Sequence, residues 1–144
     1  MASKVYLWNL RTSMKMPYDK RVKKLIKRAG VFAAIASREL VAVKMHFGEA
    51  GTTGFIAPVL VAPIIALIKK TGAHPFLADT NTLYQGQRYE GVSHALVAAR
   101  HGFDPNILGA PVVIADGIRS GSAREVSSQG RHFETCSIAG DIAD

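Results

Sequence analysis

Short apolar runs alternate along this chain with longer segments whose apolar residues recur at helical spacing. The short runs, rich in Val, Leu, Ile and aromatic residues, predict strands. They are Val5–Leu10, Leu40–Phe47, Pro75–Ala78 and Pro111–Ala115. Helices are predicted between them, at Tyr18–Ala29, Val31–Ala36, Phe55–Thr71 and Gly91–His101. This alternating order predicts an α/β fold with a mostly parallel sheet and helices on both faces.

Two further short runs follow the fourth predicted strand. Arg124–Ser128 and His132–Ser137 flank Gln129-Gly130, a pattern that indicates a C-terminal β-hairpin. A chain of 144 residues suits one domain with a core of its own. We therefore predict a single α/β domain over residues 1–144.

The two longest predicted helices differ in character. Tyr18–Ala29 has an apolar stripe on one side and basic residues on the other, which is typical of a helix packed on a core. Phe55–Ile68 is apolar all round, yet at 14 residues it is shorter than the ~20 needed to span a membrane. We expect it to be covered on every side, either by a second copy of the chain or by a missing second half.

The net charge of +7 comes from the N-terminal segment, where residues 1–39 hold 10 Lys or Arg and 2 Asp or Glu. Such a cluster can bind nucleic acid or anionic lipid, or it can be a solvated helix face. No aromatic residues interleave with the lysines of Lys20–Arg28, as they do in proteins that bind single strands. The pattern favours a solvated face, and we expect neither a nucleic-acid nor a membrane partner.

The single cysteine, Cys136, excludes an internal disulfide and any multi-cysteine metal site on this chain. Met1–Leu10 is too short and too polar for a signal peptide. These features predict a cytoplasmic protein.

Candidate chemistry lies where three predicted strands end. The carboxyl ends of parallel strands share one edge of a sheet, and ligands bind in the crevice there. The residues predicted to be catalytic are His46, Asp79 and Asp116. The residues predicted to bind substrate are Lys44, Thr80, Asn81 and Tyr84.

Each of these residues also has a purely structural explanation. His46 can be satisfied by the backbone, with Lys44 reaching past the sheet edge to solvent. Asp, Thr and Asn are common turn and cap residues. In a functional site at this sheet edge, His46 acts as a base or as a ligand. The carboxylates of Asp79 and Asp116 together with the His46 imidazole can also hold a divalent metal.

Four segments together resemble the family described as domain of unknown function 362. They are Lys4–Arg11, Val43–Glu49, Pro75–Tyr84 and Gly109–Gly117. The resemblance covers essentially the whole chain in order. It implies an iron–sulfur-binding or ferredoxin-like protein, because many members carry a cysteine-rich [4Fe–4S] segment further along the chain.

The chain departs from that family pattern at its end. It stops at Asp144, about where a typical member begins its next core strand. We therefore expect the N-terminal portion of a longer architecture: a truncated gene, a fragment, or a subunit completed by a partner. The cluster cysteines are absent, so no cofactor is expected on this chain.

Three functions follow as alternatives. The chain is the N-terminal part of a ferredoxin-like protein and does not transfer electrons by itself, or it is a small-molecule or metal-binding α/β enzyme with its site at the strand ends. The third alternative is a partner-binding subunit or fragment.

Overall fold

A three-stranded parallel sheet forms the centre of the computed structural model, which describes residues 3–143. The strands are β1 (Leu40–Lys44), β2 (His74–Asp79) and β3 (Val112–Ile114), in the order β1-β2-β3. Lys44 lies opposite Ala78, and Asp79 lies opposite Ile114, so the three strands end at nearly the same level. The predicted α/β class with a parallel sheet is confirmed.

The helices are α1 (Tyr18–Ala29), α2 (Pro58–Lys70), α3 (Gly91–Arg100), α4 (Pro105–Leu108) and α5 (Gly140–Ala143), with a short 3-10 helix at Val31–Ala34. Of these, α2 and α3 pack directly on the sheet. Within residues 3–143, no helix is long and apolar enough to cross a bilayer.

The hydrophobic core lies between the sheet and the helices that follow β1 and β2. Phe47, Ile65, Leu77 and Phe103 are at most 1% exposed in this core, and Phe47 meets Phe103 edge-on with ring centroids 5.0 Å apart. Because Phe47 comes just after β1, its burial fixes the path of the chain where β1 ends.

Helix α2 is only partly covered. Val61, Ile65 and Ile68 are buried, whereas Val59 is 72% exposed. Helix α1 packs on α2, and the Tyr18 hydroxyl donates to the Leu60 carbonyl at 3.1 Å. The chain itself therefore leaves part of this apolar segment exposed, and its coverage by a second copy or by a second half stays a prediction.

The predicted strand Val5–Leu10 is wrong. These residues belong to no strand and lie beside α1. The Arg21 guanidinium holds them there: it donates to the backbone carbonyl of Asn9 at 3.2 Å and lies over the Trp8 ring, 5.4 Å from its centre. Strand propensity acts only when a partner strand is within reach, and here the segment is fastened to a helix instead.

The predicted C-terminal hairpin is confirmed. β4 (Ala123–Ser127) and β5 (Thr135–Ala139) are antiparallel, with Val126 opposite Cys136. The second strand begins three residues later than the sequence pattern indicates. Asp144 lies outside the described residues.

Candidate functional site

The ends of β1 and β2 bring two predicted site residues into direct contact. Lys44 is the last residue of β1 and Asp79 the last of β2, and Lys44 Nζ lies 2.9 Å from Asp79 Oδ1. The same ammonium donates to the Met45 carbonyl at 2.8 Å. This pair follows from the register, because Lys44 lies opposite the neighbour of Asp79 on the adjacent strand.

Asp79 is a buried carboxylate with several donors around it. Besides Lys44, Oδ1 accepts the Thr80 backbone N–H at 3.0 Å. Oδ2 accepts from Arg88 Nη1 at 3.3 Å and from the Phe47 backbone N–H at 3.5 Å. Both oxygens are thus engaged, and the carboxylate joins the ends of β1 and β2 to the loop before α3.

The surroundings of Asp79 favour its charged form. Burial raises the pKa of this carboxyl, but the neighbouring His94 ring, the Lys44 ammonium and the Thr80 N–H together hold the pKa well below its usual range. His94 Nε2 lies 3.4 Å from Oδ2. Asp79 is therefore ionised at neutral pH and serves as a fixed negative charge.

Arg88 is the residue that links the loops around this edge. Its side chain is 8% exposed. Nε donates to Glu49 Oε1 at 2.9 Å, Nη2 donates to the Tyr84 hydroxyl at 2.8 Å, and Nη1 reaches Asp79. The Tyr84 hydroxyl in turn donates to Glu49. The loop after β1 is thereby tied to the loop after β2.

These contacts also set the charge on Glu49. Hydrogen bonds from Arg88 and then from Tyr84 lower the pKa of Glu49, and a small effect of burial opposes them. Glu49 is therefore a carboxylate at neutral pH and balances Arg88. We call the group Lys44, Glu49, Asp79, Tyr84 and Arg88 the sheet-edge cluster.

His46 has one ring nitrogen committed to the protein. Its Nδ1 accepts the Gly48 backbone N–H at 3.0 Å, and Arg88 Nη1 lies 3.4 Å away. A backbone N–H and a guanidinium can only donate, so Nδ1 carries the lone pair and the proton of the neutral ring sits on Nε2. The His46 side chain is exposed, which leaves Nε2–H available to a ligand.

The turn at Gly48 requires glycine. Its φ is +91°, and a Cβ built there lies 2.5 Å from Phe55 Cδ1 and 2.7 Å from the His101 Nδ1. Phe55 and His101 stack with ring centroids 4.3 Å apart, and His101 Nδ1 donates to the Phe47 carbonyl at 2.7 Å. This packing holds the chain after His46 in one path.

A cavity of about 410 Å³ opens beside the end of β1. Lys44, His46 and Thr53 supply its polar wall, while Phe55 and Ile56 supply an apolar wall. Among the described residues that line it, none is acidic. The cavity therefore presents hydrogen-bond donors on one side and hydrocarbon on the other.

Asn81 and Asp116 form a separate contact between two loops. Asp116 Oδ1 accepts the Asn81 backbone N–H at 3.0 Å, and Asn81 Nδ2 donates to the Gly117 carbonyl at 2.7 Å. Within residues 3–143, no group of three or more His, Cys, Asp and Glu side chains is placed to hold a metal. The convergence of His46, Asp79 and Asp116 that a shared metal requires is thus not found there.

The sequence reasoning missed Arg88 and the role of Glu49. Arg88 lies in a polar loop, nine residues after Asp79, where no motif distinguishes it from a solvated arginine. His94 is fully buried and meets Phe47 edge-on with centroids 5.8 Å apart. Which of these side chains contact one another at the ends of the strands depends on the fold and cannot be read from the sequence.

The residues of this chain do not fit an iron–sulfur cluster. Such a cluster is held by four thiolates, and the sequence has one cysteine, Cys136, which is exposed on β5.

Comparison with protein families matches residues 41–144 to the domain of unknown function described as DUF362. The match begins at β1 and includes the whole sheet edge, whereas residues 1–40 lie outside it. No curated protein and no solved structure matches the chain. Because the match covers well over half of the sequence, the chain belongs to the DUF362 family.

Proposed function

We propose that this chain binds a small anionic molecule with an apolar part in the cavity beside the end of β1. The observation that carries this proposal is that Lys44 and His46 both line a cavity without an acidic residue. An ammonium and an imidazole N–H suit a carboxylate or phosphate group. Phe55 and Ile56 suit the hydrocarbon attached to it.

The sheet-edge cluster supports this function by holding the binding groups in place. Asp79 accepts from Lys44 and Arg88 reaches His46 Nδ1, so each ligand-facing group has a fixed partner behind it. Groups held by such supporting contacts bind with less loss of conformational freedom.

Binding is a better fit to this arrangement than general-base catalysis. Asp79 is fully engaged and ionised, and the free nitrogen of neutral His46 is Nε2, which carries a proton. The polar wall therefore offers donors to an anion. A substrate that must lose a proton finds no unengaged base among these two residues.

The test uses three probes of similar shape: phenyl phosphate, benzoate and the neutral benzyl alcohol. Titration by calorimetry or by ¹H–¹⁵N NMR is expected to show saturable binding of the two anions. A hydrogen bond to a charged group contributes about 1.5–3 kcal/mol, so Lys44→Gln is expected to weaken binding about tenfold or more. Equal binding of benzyl alcohol would contradict the proposal.

His46→Asn is the sharper variant. Asn retains an acceptor close to Nδ1 for the Gly48 N–H but has no group at the Nε2 position, so the loop is kept while the donor is lost. We expect weaker binding of both anions with an unchanged melting temperature. Lys70→Gln, an exposed lysine at the end of α2, is the matched control. Unchanged affinity in His46→Asn would overturn the role of His46.

We also infer that the chain by itself carries no iron–sulfur cluster, because it supplies one thiolate where four are needed. Anaerobic purification followed by iron analysis is expected to give no stoichiometric iron and no cluster absorbance. A preparation with about four irons per chain would contradict this inference.

A further inference from the structure

The largest cavity that we describe, about 970 Å³, lies away from the sheet edge, between the N-terminal segment and α1. Lys4, Tyr6 and Trp8 line it from the segment, and Lys24 and Arg28 line it from the helix. We call it the N-terminal groove. Its volume is at the upper end of the range for small-molecule sites, which is about 300–1,000 Å³.

The groove concentrates positive charge that the described residues do not neutralise. Its lining contains no acidic residue, and within residues 3–143 no ion pair involves Lys4, Lys24 or Arg28. The only acidic residue of α1, Asp19, pairs with Lys23 at 3.1 Å. Lys24 and Arg28 are four residues apart on the helix, a spacing at which like charges repel.

The structure also places aromatic rings beside these cations. Tyr6 and Trp8 are 36% and 38% exposed. Val5, which precedes Tyr6, and Leu7, which lies between the two rings, are 88% and 91% exposed. This alternation turns the two rings toward α1. The sequence pattern argued against a nucleic-acid partner because no aromatic residue lies among the lysines of Lys20–Arg28, but the fold brings two aromatic residues to this helix from outside it.

Arg21 keeps the groove in shape. Its Nη1 donates to Asn9 Oδ1 at 3.0 Å and to the Asn9 carbonyl, Nε donates to the Met16 carbonyl at 3.3 Å, and its guanidinium lies over the Trp8 ring. Arg21 is thereby committed to structure. Among the described residues, Lys4, Lys24 and Arg28 make no such side-chain contacts, and they are available to an anion.

We propose that the N-terminal groove binds a nucleoside diphosphate or triphosphate. The aromatic base stacks against Trp8 or Tyr6, and the phosphates are held by Lys4, Lys24 and Arg28. Base–aromatic stacking contributes about 1–3 kcal/mol per base. Arginine and lysine are the usual partners of phosphate groups, arginine through paired hydrogen bonds. This site is independent of the one proposed at the end of β1.

The test uses the fluorescence of Trp8, the only tryptophan of the chain. ADP is expected to change it saturably at about 0.1 M salt, tripolyphosphate is expected to bind more weakly than ADP, and adenosine is expected not to bind. The variant Lys24→Gln/Arg28→Gln is expected to weaken ADP binding about tenfold or more.

The matched control is Lys27→Gln/Lys70→Gln, which also removes two charges but none from the groove. Equal weakening by this control would show that only net charge attracts ADP and would overturn the site. Absence of ADP binding up to millimolar concentration would overturn it too.

A second variant separates stacking from charge. Tyr6→Leu is expected to weaken ADP about fivefold or more while leaving tripolyphosphate unchanged. Equal affinities of ADP and tripolyphosphate in the wild type would contradict base stacking. Tight binding of a dT₁₂ oligonucleotide without binding of ADP would replace the proposal by a single-strand interface.

Discussion

The sheet-edge cluster and the N-terminal groove use the same kinds of charged residue in opposite ways. In the cluster, Lys44 and Arg88 each meet a carboxylate, and Asp79 has donors on both oxygens. In the groove, Lys4, Lys24 and Arg28 are without an ion-pair partner among residues 3–143. The ion pairs of the cluster hold its loops together and fix Lys44 in position, whereas no ion pair among these residues holds the cations of the groove.

The difference follows from burial. The side chains of Asp79 and Arg88 are 6% and 8% exposed. A charge removed from water is costly unless it is paired and hydrogen-bonded. On the surface the cost of an unpaired charge is small, because water and salt screen it. An exposed patch can therefore keep its charges for a partner.

The largest effect is expected from Arg88→Met, which keeps most of the hydrocarbon volume and removes the charge. Glu49 and Asp79 lose a common partner, and Asp79 remains buried. Removing one partner of a buried ion pair costs about 3–5 kcal/mol. Chemical denaturation should report this loss.

The matched variant is Arg28→Met in the groove, which is expected to change the free energy of unfolding little. Similar losses of stability in both variants would contradict the difference between the two regions.

A second effect is a loss of stability in acid. The folded pKa of Asp79 lies below its ordinary value of 3.8, so the unfolded chain takes up this proton first as the pH falls. The stabilisation is therefore complete above about pH 5 and is lost as the pH falls below about 4 toward the folded pKa.

Denaturation measured at a series of pH values tests this, with Asp79→Asn as the variant. Removing one such group is expected to reduce the acid slope by up to about 1.4 kcal/mol per pH unit. Asp19→Asn is the comparison, because Asp19 is half-exposed on α1 and its pKa is lowered mainly by the solvent-screened pair with Lys23, so a smaller change of the acid slope is expected. An acid slope that is identical in wild type and Asp79→Asn would show that Asp79 is not held in its charged form.

Tyr84→Phe should have a smaller effect. The Tyr84 hydroxyl accepts from Arg88 and donates to Glu49, yet the side chain is 55% exposed, so water can replace these bonds. A typical hydrogen bond contributes about 0.5–1.5 kcal/mol, and the loss in the free energy of unfolding is expected in that range.

Tyr89→Phe is the control, because the Tyr89 hydroxyl makes no side-chain hydrogen bond within residues 3–143. A loss beyond about 3 kcal/mol would mean that Tyr84 supports the cluster in a way its exposure does not indicate.

The smallest effect is expected in the groove. Lys24→Gln with Arg28→Gln should change the free energy of unfolding by no more than about 0.5 kcal/mol per residue, since both side chains are exposed. The melting temperature should stay nearly constant while ADP affinity falls. A large loss of stability would show that Lys24 and Arg28 stabilise the fold, as the charges of the sheet-edge cluster do, and would contradict the comparison.

The pattern of apolar and polar residues predicted most of the elements correctly. α1 begins and ends where the apolar stripe does, at Tyr18 and Ala29, and Gly30 ends it with a φ of +70°. β1 and β2 follow from short apolar runs, and their parallel pairing follows from the helix between them. These predictions succeeded because they depend on local periodicity and on connections that a single sequence displays.

Val5–Leu10 shows where local pattern stops being sufficient. Its residues favour a strand, but a strand exists only when another strand supplies its hydrogen bonds. Contacts of Arg21 with Trp8 and Asn9 place the segment beside α1, and no periodicity in residues 1–10 encodes that contact.

From Leu40 onward, the sequence is enough to predict the α/β class, the alternation of strands and helices and the strand-end position of Lys44 and Asp79, and it displays the excess of basic residues before residue 40. Which charges are paired depends on the fold. The fold places Arg88 between Glu49 and Asp79, pairs Asp116 with the Asn81 backbone, and brings Trp8 and Lys24 to the same groove. The physical reason is that pairing depends on distances between residues far apart in the chain, which only the packed core fixes, whereas periodicity is a property of neighbours.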